Sequence, residues 1–214
     1  MFVGSHGGGR IVPVPAPELA PTPPPPPPAA PAFAAVVPTE FKSAAGAAGA
    51  IAPDGAVTVS GSLAKDVYTL KGVVPPGGNV RQVRLEAIAD PSLPGMGPGR
   101  SGNGNLVVSR FALASGAPGS ADAATVVKFA GVAADFQQEG FPAAAVLDEN
   151  PESGWAIAPE LGKNHTLTFD VAPDVALPAG SLVVFTIEQQ FADGTHALGK
   201  FRVSFLQTPP EPAK

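Results

Sequence analysis

Between residues 81 and 205 the chain falls four times into a strict alternation of apolar and polar positions. In 81–88, Val83, Leu85 and Ala87 share one parity while Gln82, Arg84 and Glu86 take the other. Residues 165–171 set Leu167, Phe169 and Val171 against Thr166, Thr168 and Asp170, and 200–205 set Phe201, Val203 and Phe205 against Lys200, Arg202 and Ser204. In 181–189, Val183, Phe185 and Ile187 form the apolar row. A period of two with one polar face is the pattern of a strand packed on one side only. Less regular stretches of β-branched and apolar residues at 57–60, 67–70, 105–113 and 125–130 bring the expected number of strands to about eight. The Ala-rich stretches at 44–50 and 143–146 are too short, and too closely bordered by Gly or Pro, to stand as helices. Half-buried strands with no crossover helix between them predict an all-β fold, a two-sheet antiparallel jelly-roll sandwich. No internal repeat is visible.

The N-terminal part breaks this pattern. Residues 12–38 hold 12 of the 27 prolines, six of them consecutive at 23–28. Proline lacks the N–H that helices and ladders use and favours extended polyproline II. The expected organisation is a disordered Pro/Gly-rich leader or linker over 1–38, a β-sandwich (galactose-binding-like) domain over 39–207 and a disordered tail over 208–214. The domain, roughly 170 residues, suffices for one hydrophobic core. The leader reads as a semi-rigid spacer; a docking peptide for an SH3-like module would want basic flanks, and only Arg10 is near.

The formal net charge is −5, and the 13 Lys and Arg residues are scattered singly rather than gathered into a stripe that could neutralise successive phosphates. Nucleic acid is therefore not an expected partner. The chain has no Cys, which removes disulfides, thiolate metal sites and cysteine nucleophiles together. The longest apolar run, 29–37, contains Pro31 and is far short of a membrane span. Residues 1–9 are Gly-rich without Lys or Arg, so no secretory signal is read there and the compartment stays unassigned.

Candidate chemistry lies in two loops. Gly97-Pro98-Gly99-Arg100-Ser101-Gly102 fits GxGxxG formally, but a dinucleotide site needs that motif at a helix N-terminus, and a strand follows here. The wider loop, 90–105, is long and rich in Gly, Pro and Asn, a length that within a compact domain usually serves function. Its polar side chains Arg100, Asn103 and Asn105, with Trp155, are the candidate ligand-binding residues. The second loop, 148–155, crowds side-chain oxygens into a turn, and Asp148, Asn150 and Ser153 are its candidate ligands for a structural Ca²⁺. As an EF-hand it fails, with Ser153 at the required Gly and Pro159 where the bidentate Glu belongs. The competing reading is an Asx turn, in which Asp148 and Asn150 accept backbone N–H groups. Trp155 is the sole Trp and Tyr68 the sole Tyr, and Trp155 suits a core anchor or a ligand platform. GxSxG is absent, and neither His165 nor His196 has a partner pattern nearby. The chain is read as no enzyme.

Two longer stretches carry a resemblance. Leu85-Glu86-Ala87, Asp90-Pro91-Ser92-Leu93-Pro94, Gly97-Pro98-Gly99-Arg100-Ser101 and Asn103-Gly104-Asn105-Leu106-Val107 resemble a module of large planctomycete proteins that also carry a cytochrome c-like domain. Ala134-Asp135-Phe136, Gln138-Glu139-Gly140-Phe141-Pro142, Asn150-Pro151, Gly154-Trp155-Ala156-Ile157 and Phe201-Arg202-Val203-Ser204 are similar to its continuation. Leu106 and Arg110 depart from it, standing where that module has Phe and Glu. The turn from Asp148 to Trp155 is similar, more loosely, to a segment of discoidin-like, galactose-binding-type jelly-roll domains, which implies a structural Ca²⁺ and glycan binding. No redox activity follows, since no haem-attachment Cys is present.

The expected function is a non-catalytic accessory or binding module with carbohydrate or another protein domain as its partner. The alternative is a structural spacer or protein-interaction domain with no small ligand.

Overall fold

The computed structural model describes Phe2, Gly4 and residues 32–208. The leader upstream of 32 and the tail beyond 208 lie outside the described residues. In chain order the strands are β1 (Ala34–Ala35), β2 (Glu40–Ser43), β3 (Ala47–Ile51), β4 (Val57–Gly61), β5 (Asp66–Val73), β6 (Val80–Ala87) and β7 (Val107–Val108). They continue with β8 (Arg110–Pro118), β9 (Thr125–Val126), β10 (Phe129–Ala134), β11 (Trp155–Ala156), β12 (His165–Val171), β13 (Ser181–Gln189) and β14 (Lys200–Gln207).

They form the expected all-β antiparallel sandwich. One sheet has seven strands in the order β10-β12-β6-β14-β4-β3, with β1 added on β14; the facing sheet has five, β2-β5-β13-β8-β9; β7 and β11 make a small third pair. The chain changes sheet between β4 and β5, again between β5 and β6, and at β12–β13 and β13–β14. At these crossings consecutive strands lie in opposite sheets, whereas β3–β4 and β8–β9 pair side by side.

The alternation read from the sequence decides which faces meet. Val83, Leu85 and Ala87, Leu167 and Phe169, Phe201, Val203 and Phe205, and Val183, Phe185 and Ile187 are all buried between the sheets. Near the centre Phe111 of β8 stacks on Phe169 of β12, ring centroids 4.3 Å apart, joining the two layers. The opposite face of the seven-stranded sheet is polar: Arg202 Nε donates to Glu86 at 2.8 Å and its Nη1 to Asp54 at 3.2 Å. Arg84 lies over the Phe33 ring, 3.6 Å from its centroid.

Five segments differ from the sequence expectation. Ala34 and Ala35 pair with Phe205 and Ser204, and Val36 is buried, so the folded chain starts before residue 39. The Ala-rich stretch near 44–50 supplies β3, where Gly49 leaves room for the Phe41 ring. The expected strand at 105–113 breaks at Ser109, whose hydroxyl donates to Pro151 O (3.0 Å) and accepts from Gln190 N–H (3.1 Å). The expected strand at 125–130 splits because the chain passes there from one sheet to the other. Val127 N–H donates to Leu113 O in the five-stranded sheet, and Lys128 O accepts from Ala172 N–H beside the seven-stranded one. Ala143–Leu147 forms a short 3-10 helix, held by Ala145 N–H to Pro142 O at 3.0 Å.

Candidate functional site

The long loop at 90–105 is fastened at nearly every turn. Arg100 spends both terminal nitrogens on Gly61 O and Ser62 O, each at 2.7 Å. Asn103 Oδ1 accepts the Asn105 N–H at 3.0 Å, and the Ser101 hydroxyl donates to Asn105 O at 2.7 Å. Asn105 is buried; its Nδ2 donates to Gln138 Oε1 at 3.0 Å and its Oδ1 accepts from Ile157 N–H at 3.2 Å. Gly99 packs so closely on Asn105 O that any Cβ would collide with backbone. At the loop's start the Lys200 ammonium lies 2.7 Å from Asp90, and with the Ser92 hydroxyl and N–H it holds that carboxyl well below the usual range. The loop is a rigid cap over one end of the sandwich.

Trp155 belongs to this cap from the inside. It pairs with Val108 across β11 and β7, is fully buried, and its Nε1 donates to Phe136 O at 2.8 Å. With no exposed face, the indole is packed as an anchor and offers no ligand platform. Tyr68 is equally enclosed: its hydroxyl donates to Leu198 O at 3.2 Å, and burial pushes its phenol up. Among the four candidate ligand-binding residues, Asn105 and Trp155 are therefore interior, while Arg100 ties the loop to the end of β4 and Asn103 ties the loop's own backbone.

The structure brings Asp148, Asn150 and Ser153 together in one turn. Asp148 Oδ1 accepts the Asn150 N–H at 2.8 Å, the Ser153 hydroxyl sits 2.8 and 2.9 Å from the two carboxylate oxygens, and Asn150 Oδ1 accepts the Glu152 N–H at 3.1 Å. These are the contacts of an Asx turn. Ca²⁺ takes six to eight oxygens, whereas the one carboxylate among these three candidate ligands, Asp148, is already engaged by protein donors and Glu152 of the same turn faces Lys65, a poor fit for the ion. No group of three or more His, Asp or Glu able to hold a metal occurs among the described residues.

Both strand-flanking histidines are also occupied. His165 is buried with Nδ1 3.2 Å from Asp135 and Nε2 2.7 Å from Glu160 O. His196 Nδ1 lies 3.0 Å from Asp193 Oδ1 within one turn.

What the sequence did not disclose is a cleft of about 340 Å³ where β9 leaves β8 to become β10. Phe111, Phe129, Val126 and Leu147 supply its apolar surface, and Arg110 and Lys128 are the two charged side chains that line it. Val126 is 70 % exposed and Leu147 41 %, so two large apolar side chains stand in water at the cleft. Arg110 is shared with Glu188 at 3.7 Å, and Lys128 makes no ion pair among the described residues. No family model, curated protein or solved structure matches this chain.

Proposed function

We propose that this domain is a non-catalytic binding module that holds a protein segment in the cleft beside β8. The observation that carries the reading is the pairing of exposed Val126 and Leu147 with an all-cationic charged lining, Arg110 and Lys128, in a chain whose net charge is −5. Apolar side chains left in water beside Lys128, which has no ion pair among the described residues, and Arg110, which is only loosely paired with Glu188, favour a partner that is apolar and acidic. A carbohydrate ligand would want an exposed aromatic face, and Trp155 and Tyr68 are both inside. The resemblance to a module of multidomain proteins supports the same accessory role.

The test is selection of a displayed random-peptide library on the immobilised full chain, with Leu147→Asp as the counter-target and a glycan array run in parallel. The reading expects peptides rich in apolar and acidic residues that the variant loses. Glycan binding without such peptides would replace it with the carbohydrate reading, and peptides indifferent to Leu147→Asp would move the site elsewhere.

A further inference from the structure

β13 covers one side of β8 along its whole length, but β9 covers the other side only in part. Leu113 O receives the Val127 N–H, so the odd-numbered residues of β8 turn their backbone groups toward β9 and the even-numbered ones turn theirs toward β13. β9 itself reaches only to Val126, opposite Ala114. Beyond it the chain leaves for the other sheet, where Lys128 O accepts the Ala172 N–H and Phe129 pairs with Val171. Phe111 therefore faces a gap in the sheet, and its N–H and C=O find no hydrogen-bond partner among the described residues.

That gap is the cleft: Arg110, Phe111 and Ala112 line it along β8, and the departing chain lines it from Val126 to Phe129. Phe111 is only 2 % exposed, and a residue so enclosed seldom leaves both backbone groups unpaired, because each unpaired group costs free energy comparable to a lost hydrogen bond. Parity along β8 sets what a neighbour would meet. The Phe111 ring points into the core, whereas Arg110 and Ala112 lie on the outer face. In a strand beside them, the residue opposite Phe111 points inward and its two neighbours point outward, one of them beside Arg110.

We propose that the protein segment held in the cleft lies there as an extended strand, antiparallel to β8 in the line of β9, with one of its residues exchanging both backbone hydrogen bonds with Phe111. Antiparallel pairing suits a gap this short, since a single residue then satisfies both the N–H and the C=O of Phe111. The strand rests on the reading of the cleft as a protein-binding site; Phe111 and Arg110 add its conformation and its pattern. The residue opposite Phe111 is apolar, and the outward neighbour beside Arg110 is acidic. Backbone bonds of this kind supply affinity while the alternating side chains select the sequence.

The experiment follows amide hydrogen exchange of the full chain by NMR, with a blocked heptapeptide of alternating Glu and Val as the probe. In the free chain the Phe111 N–H should exchange faster than those of Ala112 and Ala114, which face β13; in the complex it should slow by about tenfold or more. N-methylation of the probe's Val residues, whose N–H groups lie on the edge toward β8, should raise Kd by about tenfold. N-methylation of its Glu residues, on the opposite edge, should change Kd by less than about threefold. Binding without protection of Phe111, equal losses from the two N-methylations, or equal binding of a heptapeptide with the same residues in two blocks overturns the strand and leaves the cleft a protein-binding site. Protection of Phe111 already in the free chain also overturns it, since the gap would then be filled by this chain or a second copy of it. If the probe does not bind, peptides selected by display decide: none at all overturns the strand and the binding module together, peptides without the alternation overturn the strand alone, and alternating ones take the probe's place.

Discussion

Gln138 Oε1 receives Asn105 Nδ2 at 3.0 Å and the Ala158 N–H at 3.1 Å, so buried Asn105 and half-buried Gln138 clasp the long loop to the segment that follows β11. Asn105→Ala strips partners from Gln138 and from the Ile157 N–H together. It should destabilise the fold by about 1–3 kcal/mol, measured by urea unfolding. A loss within experimental scatter of zero would mean that the cap closes without this clasp.

Trp155 is the sole Trp and fully buried, so intrinsic fluorescence reports on the cap alone. Native emission should be blue-shifted and resistant to iodide and acrylamide. Red, readily quenched emission in the native protein would place the indole at the surface and return it to the role of ligand platform.

The turn at Asp148 should respond to mutation and ignore chelator. Asp148→Ala removes the acceptor of both the Asn150 N–H and the Ser153 hydroxyl, and on an exposed turn this should cost about 1 kcal/mol. Thermal midpoints in excess Ca²⁺ and in chelator should coincide. A bound ion at about 100 times its dissociation constant would instead separate them by the equivalent of about 2.7 kcal/mol.

The sandwich itself is tested by parity. Phe169→Ala, Phe185→Ala, Phe201→Ala or Phe205→Ala should each cost about 3–5 kcal/mol, since all four rings are buried between the sheets. Thr168→Ala, one residue from Phe169 on the outer face, should cost less than about 1 kcal/mol. Equal losses on the two faces would contradict a core confined to one side of β12.

Asp90 gives the fold an acid-sensitive tie. Lys200 and Ser92 depress its carboxyl in the folded state, so the stabilisation is fully present above the unfolded value of about 3.9 and is lost as pH falls through the folded one. Asp90→Asn should therefore cost on the order of 1 kcal/mol at neutral pH and progressively less below about pH 4. Unfolding curves of both proteins across that range decide it; a gap that stays constant in acid would leave the ion pair with no part in acid stability.

Sequence alone settled the strands whose side chains alternate cleanly. The expected spans at 165–171 and 181–189 coincide with β12 and β13, and the buried rows are those that parity assigned. Alternation reports which face of a strand is covered, and burial on one face is a local property written into the residues themselves. β1 and β3 escaped because Ala and Gly carry no such signal, and β2 because four residues with one apolar side chain are too short to show it: β3 becomes a strand by pairing with β4 and by giving space to Phe41. The candidate site divides along the same line. The crowding of oxygens at 148–153 was legible, as was the looping of 90–105, but whether those groups face water or one another depends on partners such as Gly61, Gln138 and Ile157, far away in the chain. The cleft lay beyond sequence altogether, because it exists only where the chain crosses from β9 to β10, and that crossing is fixed by Leu113 and Ala172 on opposite sheets. Tertiary structure decided the cleft and the packing of both loops for that physical reason: concavities and long-range contacts belong to the spaces between elements, and the pattern along one element cannot record them.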